Sequence, residues 1–248
     1  MSKNNVVVSS DYGPIILNIN DYGVGRNIIS GGYHSRDDIE LTSQLLKYIL
    51  QKKNALLYYD VGANIGTHSL ALSKIFGSTI TIRAFEAQRQ VYYMLCGNMA
   101  INCVDNVHCH HAAVADQCGI ELEIPVPDYS MPNNFGGLEL LPAHRTDNQN
   151  MIKSGREKVS TVSLDYFDEP VDFIKFDIEG MENIALNGAE KTISAHRPIC
   201  FVEILKVDAA ELLKRFSALN YWAYQKNADL IFIPAEYMLS IDGLKRVL

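Results

Sequence analysis

Apolar positions in this chain switch between two periods. Short runs in which every residue, or every second one, is apolar are followed by stretches with apolar residues three and four apart, and Gly, Asn or Pro punctuate the joins. That alternation is the signature of β–α–β units stacked on a parallel sheet. Ala55 to Asp60 (ALLYYD) predicts a first core strand, and a glycine-containing turn leads into a helix over about Thr67 to Phe76, stopped by Gly77. Thr79 to Phe85 (TITIRAF) alternates as a second strand, and Gln88 to Ile101 carries Val91, Leu95 and Met99 at helical spacing. Val107 to Ala112 predicts a third strand.

Between Ala113 and about Val159 the pattern changes. Pro125, Pro127, Pro132 and Pro142, with Asn133-Asn134 and Gly136-Gly137, predict an irregular crossover holding at most one short hairpin. Regular alternation then resumes. Phe173 to Phe176 reads as a buried strand, and Met181 to Leu186 as a short helix closed by Asn187-Gly188. Ile199 to Ile204 follows as a strand and Ala209 to Leu219 as an amphipathic helix. Tyr221 to Tyr224 and Leu230 to Ile233 lie too close together for a helical crossover, so they predict an antiparallel hairpin. The fold expected is α/β: a doubly wound, Rossmann-like, mostly parallel seven-stranded sheet with a reversed C-terminal strand. Residues 1–50 are read as a leader and cap helix packing on the core. Residues 51–248 are read as one domain with an irregular insertion at about 119–159.

Composition narrows the picture. With 248 residues, 48% apolar and 21% charged, the chain can bury one sizeable core. The formal net charge of −7, with no Lys/Arg run longer than two, makes a phosphate backbone a poor partner. No apolar window approaches a membrane span and the start lacks signal-peptide chemistry, so a cytoplasmic protein is expected. The five cysteines include no pair at zinc-knuckle spacing, and no metal site is predicted from them.

Chemistry concentrates at the predicted strand ends. Asp60-Val61-Gly62-Ala63-Asn64-Ile65-Gly66 joins a strand to a helix, and its glycines allow backbone to pass close to a ligand. Asp60 would repel a pyrophosphate but attract the ammonium and sulfonium of S-adenosyl-L-methionine. The three-glycine spacing of an NAD site is absent. Twenty residues beyond Gly66, Glu86 ends the second strand, where a carboxylate can accept hydrogen bonds from both ribose hydroxyls. Adenine is expected against the third strand end at Ala112, Ala113 and Val114, with Asp116 reaching its amine. Asp177 and Glu179, after the strand at Phe173, should face the same cleft. One residue apart in an extended chain, they should point the same way, and their repulsion should raise the pKa of at least one.

These segments together resemble the FkbM-type methyltransferases. The resemblance rests on DVGANIG at Asp60 to Gly66, AFEAQ at Ala84 to Gln88 and STVSLDYF at Ser160 to Phe167. It is reinforced by VDFIKFDIEGMENIALNGAE at Val171 to Glu190, RPICFVEI at Arg197 to Ile204 and GVGRNIISGGYHSRDDIEL at Gly23 to Leu41. The resemblance implies a class I methyltransferase fold, S-adenosyl-L-methionine as cofactor, and methyl transfer to an oxygen, often of a sugar or polyketide hydroxyl. It implies cofactor roles for Asp60, Gly62, Asn64 and Glu86, and places Asp177 and Glu179 near the reaction centre.

An alcohol acceptor needs a positioned base. Asp177, Glu179 and His34 are the candidates, with Asp177 first for its strand-end position. The crossover from Asp128 to Lys158 is expected to face the acceptor, a small molecule or glycan hydroxyl, through Asn133, Asn134, Gly136 and Gly137. The rival readings are an NAD-linked oxidoreductase and a non-catalytic adenosyl-binding protein.

Overall fold

The computed structural model describes residues 4–141 and 149–248; residues 142–148, within the predicted crossover, lie outside the described residues. The chain opens on a hairpin of β1 (Asn5–Ser10) and β2 (Gly13–Asn18), then α1 (Val24–Gly31) and α2 (Arg36–Leu50). The core follows as β3 (Leu56–Val61), α3 (Thr67–Phe76), β4 (Ile80–Glu86), α4 (Arg89–Ile101) and β5 (Val107–His111). Next come β6 (Ala113–Val114), β7 (Glu121–Pro127), β8 (Met151–Val162), β9 (Phe173–Phe176), α5 (Glu182–Asn187) and α6 (Glu190–His196). The chain finishes with β10 (Ile199–Glu203), α7 (Ala209–Ala218), β11 (Tyr221–Lys226), β12 (Asp229–Pro234) and β13 (Lys245–Arg246).

The central sheet runs β13-β11-β12-β10-β9-β3-β4-β5. It has eight strands rather than seven, because Lys245–Arg246 adds a short edge strand antiparallel to β11. β12 is antiparallel to both β10 and β11, so two strands are reversed, β12 and β13, where one was expected. Side chains alternate between two cores, as the period of a strand requires. Tyr58, Ile82, Phe173 and Ile199 pack with Leu45, Leu46 and Ile49 of α2 and Leu70 and Leu72 of α3. Tyr59, Phe85, Ile174, Phe176 and Cys200 pack on the opposite face with Leu186, Ile193, Leu212 and Phe216.

Register aligns the ends of the central strands. Asp60 pairs with Ala84 on one side and Lys175 on the other, and Lys175 pairs with Phe201. Two residues further on, the same face carries Glu86, Asp177 and Glu203. One row of chemistry therefore lies across four strands, on the face that α2 and α3 cover.

The crossover is more regular than predicted. β7 and the long β8 form an antiparallel ribbon, and β6 joins β8 to complete a separate three-stranded sheet. Pro125 and Pro127 suggest a break, but β7 is the edge strand of that sheet, where a missing N–H is tolerated, and the register shifts between them. Among the described residues no helix is long and apolar enough to cross a membrane.

Candidate active site

One cavity gathers the row of strand-end groups with residues from several other segments, Gly23 and Val24 at the start of α1 among them. His34 and Ser35 come from the join between α1 and α2, Thr67 and His68 from the first turn of α3, and Ala112 to Val114 from the end of β5 and β6. Asn134, Gly136, Gly137, Leu138 and Leu140 close it from the segment before residue 142.

Asp60 is fully buried. Its Oδ2 accepts a 2.7 Å hydrogen bond from Ser69, and its Oδ1 has no partner. Burial raises its pKa, with Lys175 and Ser69 opposing. Glu86 is held by main chain: Oε2 accepts from Asn64 N–H at 3.0 Å and Oε1 from Gln88 N–H at 2.8 Å. Burial pushes its pKa up to about 7 against those hydrogen bonds. The Ala87 backbone is a third main-chain partner, and the carboxylate keeps acceptor capacity for a further donor. Asn64 adopts the left-handed conformation (φ +52) and orders the turn by accepting from Ile65 N–H at 2.7 Å.

The other half of the row is held by side chains. Lys175 is buried, with its Nζ 2.7 Å from Asp177 Oδ2. Burial alone would lower its pKa, but the charges of Asp177, Asp60 and Glu203 outweigh that and raise it. Asp177 and Glu179 do not converge through an extended strand. β9 ends at Phe176, Glu179 is left-handed (φ +55), and Glu182 ties the turn by accepting from Ile178 N–H at 2.9 Å and Gly180 N–H at 3.0 Å. Lys206 then clamps Glu179 at 2.6 Å and Glu139 at 2.7 Å. Asp177, Glu179 and Glu203 bring carboxylate oxygens within 4.8 Å of one another. Burial raises the pKa of Glu179. Burial and the charges of Asp177 and Glu179 push Glu203 up to about 9.

Several expected site residues stand elsewhere. Asp116 is exposed and outside the cavity lining. Gly66 is also outside it; a Cβ there would fall 2.6 Å from Leu95 and 2.8 Å from Met99, so it serves the packing of α4 on the turn. Asn133 is buried and spends its amide on the Asn150 carbonyl at 2.8 Å rather than on the cavity. Gly62 lines the cavity, yet its Cβ would lie 1.8 Å from the Asp177 carbonyl oxygen, so neighbouring backbone is what excludes a side chain. His110 and His111, which were not expected in the site, also stand outside the lining, His110 stacking on Phe85 at 4.8 Å.

Lys175, Glu203 and His68 line the cavity without having been singled out from sequence. Lys175 had a signal, a cation inside a four-residue apolar strand. Glu203 had one too: it closes an apolar strand as Asp60 and Glu86 do. His68 and Lys206 had none.

A doubly wound mixed sheet with two reversed strands at one side and acids at successive strand ends, facing one cavity, is the architecture expected of a class I methyltransferase. The methyltransferase FkbM domain matches residues 60–223, more than half of the chain, and the chain belongs to that family. Its cofactor is S-adenosyl-L-methionine. Among solved structures, a methyltransferase FkbM from Methylobacillus flagellatus KT is similar at 18% identity with a TM-score of 0.52, covering 72% of this chain. The chain spans only 44% of the length of that protein. An rRNA methylase from Streptococcus thermophilus is 12% identical over 81% of this chain and 96% of its own, with a TM-score of 0.47. TYW2 from M. jannaschii, in complex with AdoMet, is 11% identical over 94% of this chain and 84% of its own, with a TM-score of 0.44. No curated protein matches the chain.

Proposed function

We propose that the chain methylates a hydroxyl oxygen of a small acceptor, a sugar or similar metabolite. The observation that carries this reading is the division of the strand-end row. Asp60 and Glu86 are buried, as groups that hold a cofactor should be, whereas the Asp177 side chain keeps 38% of its surface exposed in the same cavity. The unpartnered Asp60 oxygen fits an ammonium, the spare lone pairs of Glu86 fit a ribose diol, and Gly62, Asn64 and Ala113 border the same space. Gly66 and Asp116 have no part in this assignment.

When bound, S-adenosyl-L-methionine supplies a methyl carbon already activated by its sulfonium. The chain's residues have to align the acceptor oxygen, exclude water and receive a proton. Lys175 fixes one oxygen of Asp177, and the other takes the hydroxyl proton. His34 and Glu179 line the same space as secondary candidates. Asn134, Gly136 and Gly137 offer amide and close-approach contacts to a hydroxylated acceptor. Labelled methyl transfer across a panel of sugars and hydroxylated metabolites, with the product bond assigned by 13C NMR, tests this reading. An O-methyl product supports it, and an enzyme active only on other atoms overturns it.

One observation favours a second reading, an acceptor bearing an amine. Of the three clustered carboxylates, Asp177 and Glu179 each meet a lysine, while Glu203 forms no salt bridge among the described residues. An N-methyl product in the same assay selects it.

A further inference from the structure

Asp60 Oδ1 and His68 Nδ1 are buried polar atoms without a hydrogen-bond partner, and both residues line the cavity. Asp60 is 0% and His68 6% exposed. Native interiors seldom leave such atoms unpaired, so each points to a group arriving from outside. The two residues are tied together. Ser69, which follows His68 on α3, donates to the other Asp60 oxygen at 2.7 Å. They are also complementary, because a carboxylate accepts and an imidazole N–H donates. α3 begins beside them at Gly66 in the left-handed conformation, and Gly66 has no side chain with which to cap the first turn. Its positive end favours an anion. An acceptor and a donor at a helix start match the ammonium and carboxylate of an α-amino acid.

We propose that His68 reads the carboxylate at the amino-acid end of the cofactor, its Nδ1–H donating to that group while Asp60 takes the ammonium. The proposal rests on S-adenosyl-L-methionine being the cofactor. His68 lies after the DVGANIG segment, so the motif itself does not assign it. Two other basic groups border the cavity, and both are engaged. Lys175 Nζ is 2.7 Å from Asp177 and stands beside Asp60 in register. His34 Nδ1 lies 3.1 Å from Asn27 Nδ2. Burial, and then the charges of Lys175, His34 and Lys226, hold the pKa of His68 well below its usual value. A neutral ring has a single N–H to place, and the unpartnered nitrogen is where a carboxylate would draw it.

Calorimetric titration with S-adenosylhomocysteine and with its decarboxylated analogue tests the assignment. The parent protein should bind the first at least about tenfold more tightly, the scale of one charge-assisted hydrogen bond. His68→Leu should weaken S-adenosylhomocysteine by about tenfold and leave the decarboxylated analogue within about twofold. His68→Asn, whose amide nitrogen can stand near the Nδ1 position, should recover most of the loss. Equal weakening of both ligands would make His68 a packing residue, and unchanged affinity would move the carboxylate to Lys175 or His34; either overturns the proposal. If His68→Leu does not fold, imidazole 15N spectra of the parent decide. A protected His68 Nδ1–H with S-adenosylhomocysteine alone supports the assignment, and the same spectrum with both ligands overturns it. A parent protein that binds neither ligand overturns the cofactor reading, and this one with it.

Discussion

The two halves of the strand-end row hold their carboxylates in different ways. At β3 and β4, Asp60 and Glu86 are buried and fixed by Ser69 and by the N–H groups of Asn64 and Gln88, all within 22 residues in sequence. At β9 and β10, Asp177, Glu179 and Glu203 are half-buried, and two of them are held by lysines. Main chain placed by a tight turn cannot adjust, which suits a cofactor of constant shape. Salt bridges between side chains can rearrange around whatever enters. Under the proposed assignment, the comparison teaches that rigidity goes with the constant ligand and adaptability with the acceptor.

The most disruptive way to break that division is at Gly62, where the halves touch. With φ at +85 and a Cβ only 1.8 Å from the Asp177 carbonyl, Gly62→Val should cost about 3 kcal/mol or more of stability and lower cofactor affinity with it. Denaturant melts beside cofactor titration check this; a fully stable variant that merely fails to bind would show a loop facing ligand alone.

Asp177→Asn should separate the halves. Turnover should fall by about 10²-fold, the scale of a lost general base, while cofactor affinity stays within a few-fold. Single-turnover rates and titrations on the same preparation report both, and parental turnover would remove Asp177 from the mechanism.

A smaller effect concerns pH. Glu203 has its pKa pushed up to about 9, so folding favours its protonated form. The stability this contributes is complete below about 4.5, the ordinary carboxyl value, and is lost as pH rises toward 9. Glu203→Gln should therefore flatten the decline and be the more stable protein at pH 9 by about 1–2 kcal/mol. Urea melts at three pH values measure this, and parallel pH profiles would show Glu203 uncoupled from its neighbours. The smallest expected effect is at Asp116. Exposed and outside the cavity, Asp116→Ala should leave cofactor affinity within about twofold.

What was legible in the sequence follows the same division. β3, β4 and α4 were visible because alternation and helical spacing are strong there, and Asp60, Asn64 and Glu86 because their supports are local. Lys206 was not visible: nothing around it in sequence announces that it joins Glu139 to Glu179, 67 and 27 residues away. The β7–β8 ribbon was hidden by Pro125 and Pro127, which weaken a strand signal without preventing an edge strand. The β1–β2 hairpin has a readable turn at Asp11-Tyr12-Gly13, but it lies ahead of the β–α alternation that marks the core.

Tyr12, in that hairpin turn, carries a consequence for how much of the chain builds the cavity. Its hydroxyl donates to the His34 carbonyl at 2.5 Å and accepts from the His34 N–H at 3.1 Å, so the hairpin grips the backbone of a cavity residue. The family match starts at Asp60, whereas Gly23, Val24, His34 and Ser35 line the cavity from before it. The matched segment and the set of residues that build the cavity therefore differ in extent. A comparison confined to residues 60–223 would cover the strand-end row and leave out one wall of the chamber it faces.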